Sequence, residues 1–134
     1  MKIVMMVTAD YAAVEPQTGK INIIGVFRNI NTSRFPTTHP RMYLVIVVAG
    51  EMNESPNPHR MSVNMLDEDG KVMASLESAF ELPSGTPGIS PQHRAVIELN
   101  GLVFPDAGDY VFEVNIDGGL DVASTVVQVA KRTG

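Results

Sequence analysis

The fold of this 134-residue chain is decided by the stretch Asp106-Ala107-Gly108-Asp109-Tyr110-Val111-Phe112. A glycine-containing turn precedes a tyrosine, and an apolar residue follows two positions later. A tyrosine in this place can lay its ring on the core and return its hydroxyl to a nearby backbone group, which pins a crossover between two sheets. The stretch therefore predicts a Greek-key β-sandwich in which Asp106, Gly108, Tyr110 and Phe112 are structural residues.

The longer run Ala95–Phe112 resembles the passage from strand E to strand F of immunoglobulin-like domains. In that resemblance Phe112 stands where an antibody domain carries its second cysteine, and apolar packing replaces the disulfide. The chain has no tryptophan to accompany it. The pattern also gives six strands from the B to the F position, where an immunoglobulin order needs an odd number. Either a short strand lies in Gly50–Pro58 or Leu82–Pro91, or the chain is a related Greek-key sandwich with the same corner.

Eight segments carry the pattern of β-strands, and we expect about eight antiparallel strands in one domain covering residues 1–134. The segments are Lys2–Thr8, Lys20–Ile30, Arg41–Ala49, Arg60–Leu66, Lys71–Phe80, His93–Leu99, Asp109–Ile116 and Leu120–Val129. Arg41–Ala49 is apolar at both alternation positions, which predicts a central strand covered on both faces. Asp67–Gly70 and Asp117–Gly119 predict tight hairpin turns. Gly25 predicts a bulge, and a helix is the alternative for Val72–Phe80.

The composition is that of one folded domain, with 44% hydrophobic and 19% charged residues. The absence of cysteine excludes disulfides and thiolate metal sites and favours a reducing compartment. The apolar run at the N-terminus is too short for an export signal or a membrane span, so we expect a cytoplasmic protein with no membrane partner. A net charge of -5 without a basic cluster argues against nucleic acid as a partner.

Four motifs distributed over most of the chain suggest a relationship to a known family. They are Asn22–Phe27, Phe35–Pro40, Asp67–Lys71 and the corner at Tyr110. Together they resemble a bacterial family of uncharacterised small β-sandwich proteins with no assigned activity. Because the motifs are turns and apolar strands, the resemblance implies the fold and brings no catalytic residue and no cofactor to this sequence.

The three histidines are the most suggestive side chains for chemistry. His39, His59 and His93 each lie close to an arginine and a proline. If the strands alternate in direction, His59 and His93 begin strands that run the same way and meet at one end of the sandwich, whereas His39 begins an opposite strand. His59 and His93 are therefore the candidate metal ligands. The alternative interpretation is that all three are loop residues beside strand starts.

Acidic residues offer a second candidate site. Asp67, Glu68 and Asp69 could ligate calcium at a tip of the sandwich, and Asp106 and Asp109 could form a second acidic loop. An Asp-Gly hairpin and the corner explain these residues without an ion. The sequence contains no Gly-x-Ser-x-Gly nucleophile motif, so we assign no catalytic residue.

These observations favour a non-enzymatic binding or scaffolding module of unknown partner that self-associates as a homo-oligomer. Sandwiches keep exposed edge strands and loop clusters that serve as contact surfaces. We expect the contact surface at the loops Asn31–Pro40 and Asp117–Gly119, which cluster at one end if the immunoglobulin-like pairing holds. The alternatives are a small metal-dependent enzyme or metal-binding protein using His59 and His93 with nearby carboxylates, and a structural part of a phage or secretion machine.

Overall fold

The structure, a computed structural model, describes residues 1–51, 58–83 and 86–132. Within these residues the chain forms nine strands in two packed sheets. The strands are β1 (Lys2–Val14), β2 (Ile21–Val26), β3 (Asn29–Thr32), β4 (Thr37–Ala49), β5 (His59–Leu66), β6 (Val72–Phe80), β7 (Gln92–Phe104), β8 (Gly108–Ile116) and β9 (Asp121–Lys131). Sheet 1 has the order β2-β1-β4-β7, and sheet 2 has the order β3-β9-β8-β5-β6.

The main core lies between the two sheets. Because successive side chains of a strand point to opposite faces, alternate residues of β4, β5, β8 and β9 fill it. These residues are Met42, Leu44, Ile46, Val48, Met61, Val63, Met65, Phe112, Val114, Ile116, Val127 and Val129. The predicted β-sandwich is confirmed, and Val72–Phe80 is strand β6 rather than the alternative helix. In the described part of the chain no helix is long and apolar enough to cross a membrane.

The predicted central strand is β4, and both of its faces are covered. One face lies in the main core. On the other face Val45 is 0% exposed because the β1–β2 hairpin folds over it. β1 pairs with β4 up to Ala9 and with β2 from Ala9 onward. At the tip of the hairpin, Arg94 of β7 donates a hydrogen bond from Nη1 to the Gly19 carbonyl at 2.6 Å.

The predicted second strand, Lys20–Ile30, is in fact two strands in different sheets. Gly25 has a positive φ of 71°, and the change of sheet follows at Phe27. There the Phe27 N–H donates to the Thr8 carbonyl at 3.0 Å, and the Thr8 hydroxyl donates to the Phe27 carbonyl at 2.7 Å. The chain crosses without reversing direction, so β3 pairs parallel to β9. The expectation of wholly antiparallel pairing was wrong at this pair.

Because this segment forms two strands, the number of strands from the B to the F position is odd, as an immunoglobulin order requires. The strand at the B position is β4, and β4 to β8 are five strands, an odd number. No further strand is needed in 50–58 or 82–91; residues 52–57 and 84–85 of those segments lie outside the described residues. The orders β4-β7 and β9-β8-β5-β6 are those of strands B-E and G-F-C-C′ in variable-type immunoglobulin domains.

The corner between β7 and β8 has the predicted geometry. The Tyr110 hydroxyl donates a hydrogen bond to the Asp106 carbonyl at 2.8 Å, and the Tyr110 ring meets Phe104 edge-on with centroids 4.8 Å apart. A side chain at Gly108 would collide with Glu68. Phe112 is buried in the main core. These contacts tie β8 to the end of β7 and to the turn before β6.

Candidate functional site

The structure brings His59 and His93 to the same end of the sandwich, as predicted. Both rings contact Phe80: His59 lies tilted with centroids 5.6 Å apart, and His93 stacks at 4.4 Å. His39 pairs with Leu102 near the other end, where its ring is 5.9 Å from that of Phe27. Partial burial lowers the pKa of His93, which favours the neutral ring.

Asp117 fixes the orientation of the His59 ring. Its carboxylate lies 2.7 Å from His59 Nδ1 and accepts a hydrogen bond from the Arg60 N–H at 2.8 Å. The Arg60 N–H, followed by the His59 contact, holds the pKa of Asp117 below its usual value. His59 thus takes part in closing the β8–β9 turn. Among the residues that the structure describes, no group of three or more His, Asp or Glu side chains is arranged to hold a metal ion.

The two acidic loops lie side by side and line a shallow depression of about 160 Å³. Asp67 Oδ1 accepts hydrogen bonds from the N–H groups of Asp69 and Lys71, both at 2.9 Å. Glu68 Oε1 accepts one from the Asp109 N–H at 2.9 Å. These oxygens therefore close the β5–β6 turn and tie it to the corner.

The predicted contact surface of two clustered loops is wrong. The loop after β3 follows Thr32, which pairs with Lys131 at the end of β9. Residues 117–119 lie in the turn that joins the end of β8 to the start of β9. Because β3 runs parallel to β9, the two loops lie at opposite ends of the strands, and they cannot form one surface.

A feature that the sequence analysis missed is the uncovered outer face of sheet 2, which we call the open face. It consists of the outward side chains of β6, β5, β8 and β9. They are Ser75, Glu77, Ala79, Arg60, Ser62, Asn64, Val111, Glu113, Asn115, Val122, Ser124 and Val126. The alternation of polar residues with buried apolar ones in β5 and β8 was the available signal, but it does not tell whether another element covers the face.

The open face is sparsely charged. Most of its side chains are short, and none is a lysine. Arg60 and Glu77 form an ion pair at 3.0 Å, and the Ser75 hydroxyl donates to Asn64 Oδ1 at 2.7 Å. Both pairs join β5 to β6 across the surface.

Two acceptors on β8 lack donors on this face. The carboxylate of Glu113, next to Asn64 and Ser124 in the register, makes no hydrogen bond or ion pair with any residue in the described ranges. Asn115 Oδ1 is buried and accepts no hydrogen bond. Asn115 also lines a depression of about 220 Å³ together with Arg60, Ser62 and Glu77. A buried acceptor without a donor is unfavourable by about 1–3 kcal/mol, and the exposed polar side chains that a partner can reach beside it are Arg60 and Glu77.

Comparison with known proteins gives a family and no activity. No curated protein and no solved structure matches the chain significantly. A family model described as a family of unknown function, DUF6941, matches residues 4–129. The match covers nearly the whole described sandwich, both sheets included. The chain therefore belongs to the family of unknown function DUF6941.

Proposed function

We propose that the protein is a non-enzymatic binding module that recognises a partner protein through the open face. The proposal rests on one observation, which is that the two sheets differ in whether their outer faces are covered. The chain covers the outer face of sheet 1 with its own β1–β2 hairpin, and none of its described elements covers the outer face of sheet 2.

The composition of the open face supports contact with a protein. Short side chains lose little conformational entropy when a partner immobilises them. Lysine, which is depleted in interfaces, does not occur there. The hydrogen-bonded pairs Arg60–Glu77 and Ser75–Asn64 hold the surface in one shape before any partner arrives. Such preorganisation favours binding.

Glu113 indicates the chemistry of the partner. Its carboxylate lies between β5 and β9 on the open face without a cation beside it, and the chain as a whole carries a charge of -5. A partner arginine or lysine over Glu113 would form a charge-assisted hydrogen bond, and the same side chain has donors for the depression beside Asn115. The partner is therefore a protein with a basic contact patch.

The proposal is tested by photo-crosslinking in cells that naturally make the protein. A photoactivatable residue is placed at Asn64 or Ser124 on the open face, and at Asn22 on the hairpin as a control. We expect the two open-face positions to yield the same crosslinked partner and the hairpin position to yield none of it.

Charge reversal at Glu113 provides the matched variant. Glu113→Lys is expected to reduce the crosslink by about tenfold or more, because it places like charges together at the contact. Glu15→Lys changes the net charge equally at the hairpin turn and is expected to leave the crosslink intact. An undiminished crosslink with Glu113→Lys, or equal crosslinking from Asn22, would show that the open face is not the binding surface.

Self-association is supported by the edge strand β6. Among the strands that the structure describes it pairs only with β5, and its single charge, Glu77, is already paired with Arg60. It contains neither lysine nor proline, the residues that commonly protect edge strands. Leu76 at its centre is 42% exposed because no strand of sheet 1 covers it, although it shares a face with the buried Val63. A second β6, antiparallel about Leu76, would pair both edges and place the two open faces side by side.

The molar mass in solution tests this arrangement. We expect a dimer for the native protein and a monomer for Leu76→Lys, which places two charges at the symmetric contact. Leu120→Lys makes the same change at another exposed leucine, 59% exposed in the β8–β9 turn, and should remain dimeric. A monomeric native protein, or a dimer that survives Leu76→Lys, rules out β6 as the dimer contact. Neither result bears on the Glu113 experiment.

A further inference from the structure

We propose that a groove between β1 and β9 binds an extended segment of a partner protein by strand addition to β9, and that Arg28 recognises a carboxylate on that segment. This site adjoins the open face along β9, but it uses the edge of that strand and Arg28 rather than Glu113, so it does not depend on the function proposed above. It has three physical components: an unpaired strand edge, depressions along it, and a single cation.

The unpaired edge is the first half of β9. β3 pairs with β9 only from Gln128 to Lys131, so among the described strands the preceding residues of β9 form a ladder with β8 alone, and β1 lies beside them without pairing. The Gln128 N–H donates to the Arg28 carbonyl at 2.8 Å, toward β3. Backbone groups of alternate residues in a strand point to the same side, so those of Ser124 and Val126 also point to this edge. An open edge of this kind is a template for a further strand.

Two depressions lie along the same edge. The first, about 290 Å³, has residues 6–8 of β1 on one wall and Ser124 and Thr125 of β9 on the other. The second, about 330 Å³, is lined by Arg28, Val126 and Gln128. The edge that β3 leaves unpaired, residues 121–127, extends about 20 Å, the length of a strand of about six residues. The groove therefore has the length of a short peptide strand.

One wall of the groove offers an apolar contact and is held in place. Val26, which is 58% exposed, lines the first depression together with Phe27. The Ile3 N–H donates to Asp121 Oδ2 at 2.6 Å and ties the start of β1 to the start of β9. An occupant with an apolar residue over this wall would cover Val26.

Arg28 indicates the charge that the occupant carries. It lines both depressions, and its exposed guanidinium makes no hydrogen bond or ion pair with the residues that the structure describes. Arginine binds carboxylates through two parallel hydrogen bonds. The occupant is therefore an extended, apolar segment with an aspartate or glutamate side chain positioned over Arg28.

The test uses capped, amidated peptides with a central glutamate between alternating valine, leucine and threonine residues. Because the capped, amidated peptides have no terminal carboxylate, the only carboxylate that can bind Arg28 is that of the glutamate side chain. We expect shifts of the backbone amide resonances of Val122, Ser124 and Val126 and slower hydrogen exchange at these amides. Shifts confined to another surface, or no shifts with any peptide of the set, would overturn the proposal.

Three variants separate the two contributions. Arg28→Ala is expected to weaken binding of the glutamate peptide by about tenfold, as for loss of a charge-assisted hydrogen bond. A peptide with glutamine in place of the glutamate should bind Arg28→Ala and the native protein equally. Arg34→Ala removes another exposed arginine and should bind as the native protein does. Ser124→Pro removes one N–H from the open edge and leaves the pairing with β8 possible. Undiminished binding by Ser124→Pro or Arg28→Ala would refute the proposal.

Discussion

At the scale of single residues, Tyr110 and Phe112 show why the corner could be predicted. Tyr110 is 4% exposed, and its hydroxyl both donates to the Asp106 carbonyl and lies near the Asp106 N–H. Both contacts are between residues four positions apart. Interactions of such short range depend on local sequence, so the motif alone is sufficient to predict them.

Replacing Tyr110 by phenylalanine should lower the free energy of unfolding by about 1–2 kcal/mol. The substitution keeps the ring on the core and leaves the Asp106 carbonyl without its donor. Urea denaturation measures the change. Tyr11→Phe is the matched control, because Tyr11 is 45% exposed and its hydroxyl makes no hydrogen bond with the residues that the structure describes. Equal effects of the two substitutions would show that the corner hydrogen bond contributes nothing.

His93 makes the stability depend on pH. Its pKa is lowered in the folded protein by partial burial, so the unfolded chain takes up a proton first as the pH falls. Stability due to this group is complete above the ordinary histidine pKa of about 6.5 and declines as the pH falls below it. His93→Phe keeps the stacking on Phe80 and removes the titration. In urea denaturation, we expect His93→Phe to lose less stability than the native protein between neutral and mildly acidic pH. An equal loss in the two proteins would show that His93 is not the titrating group.

At the scale of elements, the β1–β2 hairpin is the part that the sequence did not reveal. Its residues Ala12 and Ile23 pack on Tyr43 and Val45 and form a second small core on the outer face of sheet 1. The first strand was predicted to end at Thr8, but β1 extends to Val14. The position of the hairpin depends on contacts with β4 and β7, far away in sequence.

Arg94→Ala should loosen the tip of this hairpin without unfolding the domain. The variant loses the hydrogen bond to the Gly19 carbonyl. Two amides report on the tip: Gly19, which donates to Glu15, and Glu15, which donates to Lys20. Hydrogen exchange at both should be faster, with a global free energy of unfolding changed by less than about 1 kcal/mol. Arg41→Ala, which removes a different surface arginine, should leave these amides unchanged.

At the scale of the whole molecule, the stability depends on one continuous core. It joins both sheets, from Ile46 in β4 to Phe112 in β8. In this chain without cysteine, apolar packing supplies what a disulfide supplies in antibody domains. A typical domain is stable by only 5–15 kcal/mol, so a single large cavity affects the entire fold.

Phe112→Ala tests this dependence on packing. The loss of a buried phenylalanine is expected to cost about 3–5 kcal/mol, with both sheets unfolding together in one transition. Val122→Ala, at a residue that is 50% exposed, should change the free energy by about 0.5 kcal/mol or less. Thermal and urea denaturation followed by circular dichroism measure both. Separate transitions for the two sheets would contradict a single cooperative core.

The sequence alone determined most of the strands, the hairpin turns, the corner and the common end of His59 and His93. These follow from alternation, glycine placement and short-range hydrogen bonds, all of which depend on neighbouring residues. Only the tertiary structure decided that the chain changes sheet at Phe27, that β3 runs parallel to β9, and that sheet 2 keeps an open face. Each of these depends on which distant strand pairs with which. Many strand pairings satisfy the same alternation of apolar and polar residues. The packing of the whole chain therefore decides which sheet faces are covered, and it thereby decides where the candidate binding sites lie.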